Sequence, residues 1–105
     1  MFDLAVIIPH YNDLDRLMRC LDALVPQLDP SVELVVVDNA SPVDLAPLYT
    51  ARPDLRVVTE PRKGAAEARN RGVLETTAQT LLFIDSDCVP AADWLASARN
   101  LAGSC

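Results

Sequence analysis

A doubly wound, Rossmann-like and mostly parallel α/β sheet is the architecture this sequence predicts, and three observations predict it. Three short runs rich in Val, Ile and Leu, with a weaker fourth, are apolar at consecutive positions, the pattern of strands covered on both faces. Apolar residues at helical spacing fill the intervals, so strand and helix alternate, and right-handed crossovers then wind the sheet both ways. The chain has 105 residues, 50% of them hydrophobic, which makes residues 1–105 a single small domain with no room for a second.

The elements follow in order. The first strand is "LAVII" (4–8), and after it Leu14, Leu17, Met18, Leu21, Leu24 and Leu28 mark a helix of about four turns with Asp13 at the N-cap position. The second strand is "ELVVVD" (33–38). "NASPVDLAPLYTARPD" (39–54), with its prolines, reads as loop around one short helical turn near Leu45 to Tyr49. "LRVVTE" (55–60) is the weak strand, nearer an edge. "GAAEARNRGVLETTAQ" (64–79) is the second helix, entered through Gly64, whose missing side chain lets the backbone turn. "TLLFID" (80–85) is the last strand, and Pro90 opens a third helix in which Trp94, Leu95, Ala98 and Leu101 share a face.

Composition narrows the function classes. Nine basic against fifteen acidic side chains leave a net charge of −6, which repels nucleic-acid backbones and anionic surfaces. No nucleic-acid partner is expected. Cys20, Cys88 and Cys105 form no CxxC pair, so neither a zinc knuckle nor a disulfide scaffold is indicated and a reducing, cytoplasmic setting is expected. The opening residues carry no basic region or apolar run of signal-peptide length, and no transmembrane run occurs. Attachment at the inner face of a membrane is expected only through regions outside this sequence.

In a doubly wound sheet, ligands bind beyond the carboxyl ends of the strands. Those ends read "PHYND", "DNAS", "EPRKG" and "DSDC". A single Asp or Asn there has a bland explanation in turns and caps. For Asp85 and Asp87 together that explanation weakens, because carboxylates so close repel unless solvent or a cation compensates them. At positions i and i+2 on a tight turn both can reach one Mg²⁺ or Mn²⁺, whose other positions suit water and phosphate oxygens, so a diphosphate is the natural guest. Plain readings serve other residues: His10 as structural or solvated, Cys88 as a small buried packing thiol, Trp94 as core.

The pieces "VIIPHYND", "LVVVDNAS", "GAAEARNRG" and "LLFIDSDCVP", together and in order, make the chain similar to the N-terminal, nucleotide-sugar-binding half of family 2 glycosyltransferases, which have the GT-A fold. The resemblance runs from Leu4 to about Leu101 and implies a bacterial-type, metal-assisted glycosyltransferase. Pro9, Tyr11 and Asn12 match the loop beside base and ribose. Asp38 matches the aspartate that accepts the imide N–H of uracil, for which UDP is favoured, although guanine with two adjacent donors suits a carboxylate as well. Arg69 matches an arginine near the nucleotide, with Arg62, Lys63 and Arg71 as a basic edge. Asp85 matches a contact to ribose or to the metal's water shell, and Asp87 the ligand of Mn²⁺ or Mg²⁺.

The resemblance also implies what is not here. A whole GT-A domain is about twice as long and carries its acceptor site and catalytic base in the second half. This chain is therefore expected to be truncated at its C-terminus, a donor-binding piece inactive alone in glycosyl transfer, with acceptor and stereochemical course unassigned. Open sheet edges lead to the expectation of a homodimer. Three other functions compete with this reading. A phospho-receiver domain needs an acidic pair after the first strand and a lysine after a fifth, and a nucleotidyltransferase needs a glycine-rich basic loop that "IIPHYND" does not supply. The third is a non-catalytic nucleotide-binding or interaction module.

Overall fold

The computed structural model describes residues 2–103, with side chains described as far as Arg99. Four strands form one sheet: β1 (Leu4–His10), β2 (Val32–Asp38), β3 (Val57–Thr59) and β4 (Thr80–Phe83). The order is β3-β2-β1-β4, and all three pairings are parallel. The helices are α1 (Leu14–Leu24), α2 (Ala46–Ala51), α3 (Ala65–Leu74) and α4 (Trp94–Gly103). The chain steps outward from β1 to β3 and then crosses back to place β4 on the far side of β1. That reversal is the switch point, and it lies between β1 and β4.

Alternation along the central strands sorts the core into two layers. On one face Leu4, Val6, Ile8, Val32 and Val36 pack against Leu17, Leu21 and Leu24 of α1, Leu48 of α2 and Leu95 of α4. The opposite face is thinner. There Ile7, Val35 and Val37 meet Ala68 of α3, and a Cβ on Gly72 would fall 2.3 Å from Ile7 Cγ2. Small residues let α3 lie with its backbone nearly on the sheet.

The expected elements are all present, and their ends differ for identifiable reasons. α1 stops at Leu24 because Pro26 has no N–H to give, and the chain continues as one 3₁₀ turn, Val25–Gln27. Asp13 precedes α1, but its carboxylate caps no amide and pairs instead with Arg16 at 3.5 Å. α3 ends five residues early. Thr76 Oγ1 donates to the Gly72 carbonyl at 3.0 Å, and the Thr77 amide is taken by Glu33 Oε1 of β2 at 2.9 Å, which pulls the chain back to the sheet. α4 starts at Trp94 rather than after Pro90: Gln27 donates to the Ala91 carbonyl at 2.7 Å and accepts the Leu95 amide at 2.9 Å, capping the helix from 64 and more residues away. Leu101 lies beyond the described side chains.

β4 is an edge strand, not a fully covered one. Leu81 and Leu82 are half-buried and Phe83 is 42% exposed, since no described strand pairs with its outer side. No helix among the described residues is long and apolar enough to cross a membrane.

Candidate functional site at the switch point

The parallel register delivers His10 and Asp38 side by side at the ends of β1 and β2. Both are buried. His10 Nδ1 lies 3.0 Å from Asp38 Oδ1, and His10 Nε2 accepts the Asp13 amide at 2.9 Å. An Nε2 that accepts cannot carry hydrogen, so the proton sits on Nδ1 and is donated to Asp38. Ser41 adds its hydroxyl to the same Oδ1 at 2.6 Å and its amide to Oδ2 at 3.1 Å. The Ser41 oxygen in turn accepts the Asn12 amide at 2.7 Å, fastening the loop after β1 to the loop after β2. Asn12 and Ala40 take positive φ, 51° and 56°, in these two loops. The structural reading of His10 holds.

A second staple comes from Asn39. Its Nδ2 donates to the carbonyls of Glu60 and Arg62 at 2.9 and 2.7 Å, and its Oδ1 accepts the Gly64 amide at 2.9 Å. The loop between β3 and the N-terminus of α3 is thus tied at three backbone groups to the side chain just beyond β2. Asn39→Ala strands all three backbone groups, so a loss of about 2–3 kcal/mol is expected in urea unfolding, with faster hydrogen exchange at Gly64. An unchanged Gly64 exchange rate would show that the loop is held by something else.

Buried Glu60 anchors the same loop. It accepts the Arg62 amide at 2.9 Å and faces Arg71 Nε at 3.2 Å, so the Arg62 amide chiefly, and the Arg71 guanidinium next, hold its carboxyl below the ordinary 4.5 despite burial. A depressed folded pKa means stability that is present in full above the unfolded value and lost as pH falls below it. The urea midpoint of the wild type should therefore drop more steeply between pH 5 and pH 2 than that of Glu60→Gln. Equal slopes would assign the acid sensitivity elsewhere. The pairing also revises the basic edge: Arg71 and Arg62 are engaged by Glu60, Arg62 also by Glu67 at 3.8 Å, and Lys63 lies 5.5 Å above the Tyr11 ring.

Beyond β4 the chain turns at once, with the Cys88 amide on the Asp85 carbonyl at 3.0 Å. The turn projects Asp85, Asp87 and Cys88 into solvent, with one ligand atom of each within 4.8 Å of the others. Cys88 is thus exposed, not a buried packing thiol, because this turn carries it outward. Desolvation, then the charges of Asp87 and Asp85, push its thiol up, and burial pushes Cys20 up to about 11.

A cavity of about 300 Å³ opens between the β1 and β4 ends, and Pro9, Tyr11, Asp13, Asp85 and Asp87 line it. Ala65 and Ala68 form its α3 wall. Three carboxylates and no Lys or Arg side chain border it among the described residues, so the lining side chains repel an anionic guest unless positive charge is brought in. The pair of aspartates offers oxygen donors of the kind Mg²⁺ and Mn²⁺ take. Asp38 and Asn12 lie beside this space, joined to it through His10 and the loop after β1. Arg69 is not among its lining; it borders a neighbouring cavity of about 530 Å³ with Asp85, Cys88 and half-buried Trp94, which also packs on the core. Sequence reading passed over Ser41, Asn39 and Glu60 because their partners are set by strand order rather than by spacing.

The sequence profile of glycosyl transferase family 2 matches residues 5–103. The chain belongs to that family. Among relatives, it is 36% identical over 98 residues to glycosyltransferase AglE of Haloferax volcanii, covering 87% of this chain and 32% of AglE. Solved structures superpose on it as well. The mannosyltransferase PcManGT from Pyrobaculum calidifontis, in complex with GDP-Man and Mn²⁺, gives a TM-score of 0.76 at 33% identity, covering 92% of this chain and 31% of that one. Glucosyl-3-phosphoglycerate synthase from Mycobacterium tuberculosis, in complex with Mn²⁺, UDP and glucosyl-3-phosphoglycerate, gives 0.76 at 27% identity, with 90% and 37% covered. The fold is that of the GT-A glycosyltransferases, and the chain spans about a third of these relatives' length.

Proposed function

We propose that this chain binds the nucleoside diphosphate of a sugar donor, with uridine the favoured base, as the donor side of a family 2 glycosyltransferase. The observation that carries the reading is the exposed Asp85–Asp87 turn at the switch point, bordering an otherwise cation-free cavity. The similar structures crystallised with Mn²⁺ and UDP or GDP-Man support a divalent ion and a nucleotide sugar as ligands. Asp87 and Asp85 would hold Mn²⁺ or Mg²⁺, which when bound supplies the positive charge that stabilises a departing diphosphate.

The chain's own residues bind and orient. Asp38 accepts a hydrogen bond from the base, Pro9, Tyr11 and Asn12 border base and ribose, and Arg69 adds positive potential from the α3 surface. The N-terminus of α3, whose first residue lines the cavity, presents free amides of the kind that favour phosphate. No described residue is assigned as the base that activates an acceptor, and these 105 residues alone are expected to show no transfer. Self-association through the open β4 edge belongs to the same proposal, with sedimentation equilibrium as its check: a monomer at high concentration removes it.

Calorimetric titration of UDP with and without Mn²⁺ tests the central reading. Binding that requires the ion is expected. A folded chain that takes up neither UDP nor GDP in the presence of Mn²⁺ would sink it.

A further inference from the structure

We infer that His10 and Ser41 are specificity-determining residues that leave Asp38 a single free acceptor position and thereby select uracil over guanine. The inference rests on the proposed reading of Asp38 as the base-contacting residue. A carboxylate has about four lone-pair positions, two on each oxygen. On Oδ1 both are taken, by His10 Nδ1 at 3.0 Å and by the Ser41 hydroxyl at 2.6 Å. On Oδ2 one is taken, by the Ser41 amide at 3.1 Å. Among the described residues, one position remains.

The two candidate bases ask different things of that carboxylate. Guanine offers a ring N–H and an exocyclic amino group side by side, which a carboxylate satisfies only with both oxygens. Uracil offers one N–H between two carbonyls, so one acceptor suffices. Its carbonyls also need a neighbour that is not a bare negative oxygen, and an Oδ1 covered by two donors meets that condition. Guanine bound here would leave one N–H unmatched, and unmatched buried donors are the strongest source of discrimination a binding site has.

His10 is well placed to enforce this, since its tautomer is fixed from behind by the Asp13 amide on Nε2 at 2.9 Å. The ring cannot turn its lone pair toward Asp38 without abandoning that bond. Ser41 is held likewise by the Asn12 amide on its oxygen at 2.7 Å, which leaves the hydroxyl hydrogen to point at Oδ1. Both residues act through Asp38 and are positioning residues.

The test is the ratio of two affinities on one protein. UDP and GDP are titrated, each with Mn²⁺, into the wild type, Ser41→Ala, Ser41→Thr and His10→Leu. The wild type should prefer UDP at least tenfold. Ser41→Ala, which frees a position on Oδ1, should cut that preference about tenfold, and Ser41→Thr, which keeps the hydroxyl, should retain it. A general loosening of the loops weakens both nucleotides alike and leaves the ratio where it was. His10→Leu is the harsher variant, and should it fail to fold, the Ser41 pair still decides the matter. A wild type that binds GDP as well as UDP, or a ratio untouched by Ser41→Ala, overturns this inference and leaves the donor-site reading intact. Binding of neither nucleotide to the folded wild type removes the donor-site reading and the inference with it.

Discussion

Asp87→Ala is expected to abolish metal-dependent nucleotide binding, by a factor of at least ~100, while leaving the fold untouched. Removing even an outer partner of a metal ligand costs about 10–100-fold, and a ligand carrying a full charge should cost no less, or ~3 kcal/mol. The side chain is exposed and its only described hydrogen-bond partner is Cys88 Sγ, at 3.7 Å, so nothing in the core depends on it. Relief of repulsion from Asp85 should leave the melting temperature level or slightly raised. The decisive comparison is UDP titration with Mn²⁺ beside a thermal melt. A variant that melts like the wild type and still binds UDP only with Mn²⁺ would take the metal away from Asp87.

A second large effect, on stability alone, is expected at Gly72. A methyl group there would lie 2.3 Å from Ile7 Cγ2 and 3.3 Å from Ile7 Cδ1 and Cγ1. Ile7 is completely buried in the middle of the sheet and has nowhere to go. Overpacking of this kind costs roughly 3 kcal/mol, and the gain in helix propensity from Gly to Ala returns only about 1. Gly72→Ala should therefore lose ~2 kcal/mol net, a fall in Tm of roughly 8–16 °C for a domain this size. Ile7→Ala makes room, so in that background the same change should become neutral or favourable. Additive effects in the double-mutant cycle would show that α3 is free to shift outward and that the close approach is not a constraint.

What could be read in the sequence was what depends on neighbours along the chain. Runs such as "LAVII" and "ELVVVD" announce covered strands because both faces of β1 and β2 are covered. Asp85 and Asp87 stand out because two charges on one turn need a reason. The interior of the site was hidden for the opposite reason. His10 meets Asp38 only because β1 and β2 pair in one register, with Asn39 reaching the Glu60 loop and Gln27 the start of α4. Nothing in the spacing of these residues signals the contact. Cys88 was misjudged because a free cysteine commonly packs as a small buried hydrophobe, whereas the turn from Asp85 to Cys88 carries this one outward. The end of α3 was overestimated because Glu33, a charged residue inside an apolar strand, claims the Thr77 amide from across the sheet.

The strand order has a consequence for the path by which the protein reaches this state. Leu4 pairs with Val32 on one side and with Thr80 on the other. Loop closure makes the second pairing the slower one, since far more chain must be gathered before any contact rewards it. A chain emerging from synthesis can assemble β1, β2 and β3 before β4 exists to join them. The turn with the paired aspartates then arrives after the other three strands, with only α4 to follow, and the proposed donor binding would report that the sheet is complete. Pulsed hydrogen exchange during refolding should protect the Val36 amide, bonded to the Arg56 carbonyl at 3.0 Å, before the Ile84 amide, bonded to the Ile7 carbonyl at 3.1 Å. Simultaneous protection would mean that the sheet closes in a single step. In the sequential case, a ligand held at Asp85 and Asp87 draws its stabilising power from the one strand that the rest of the sheet can form without.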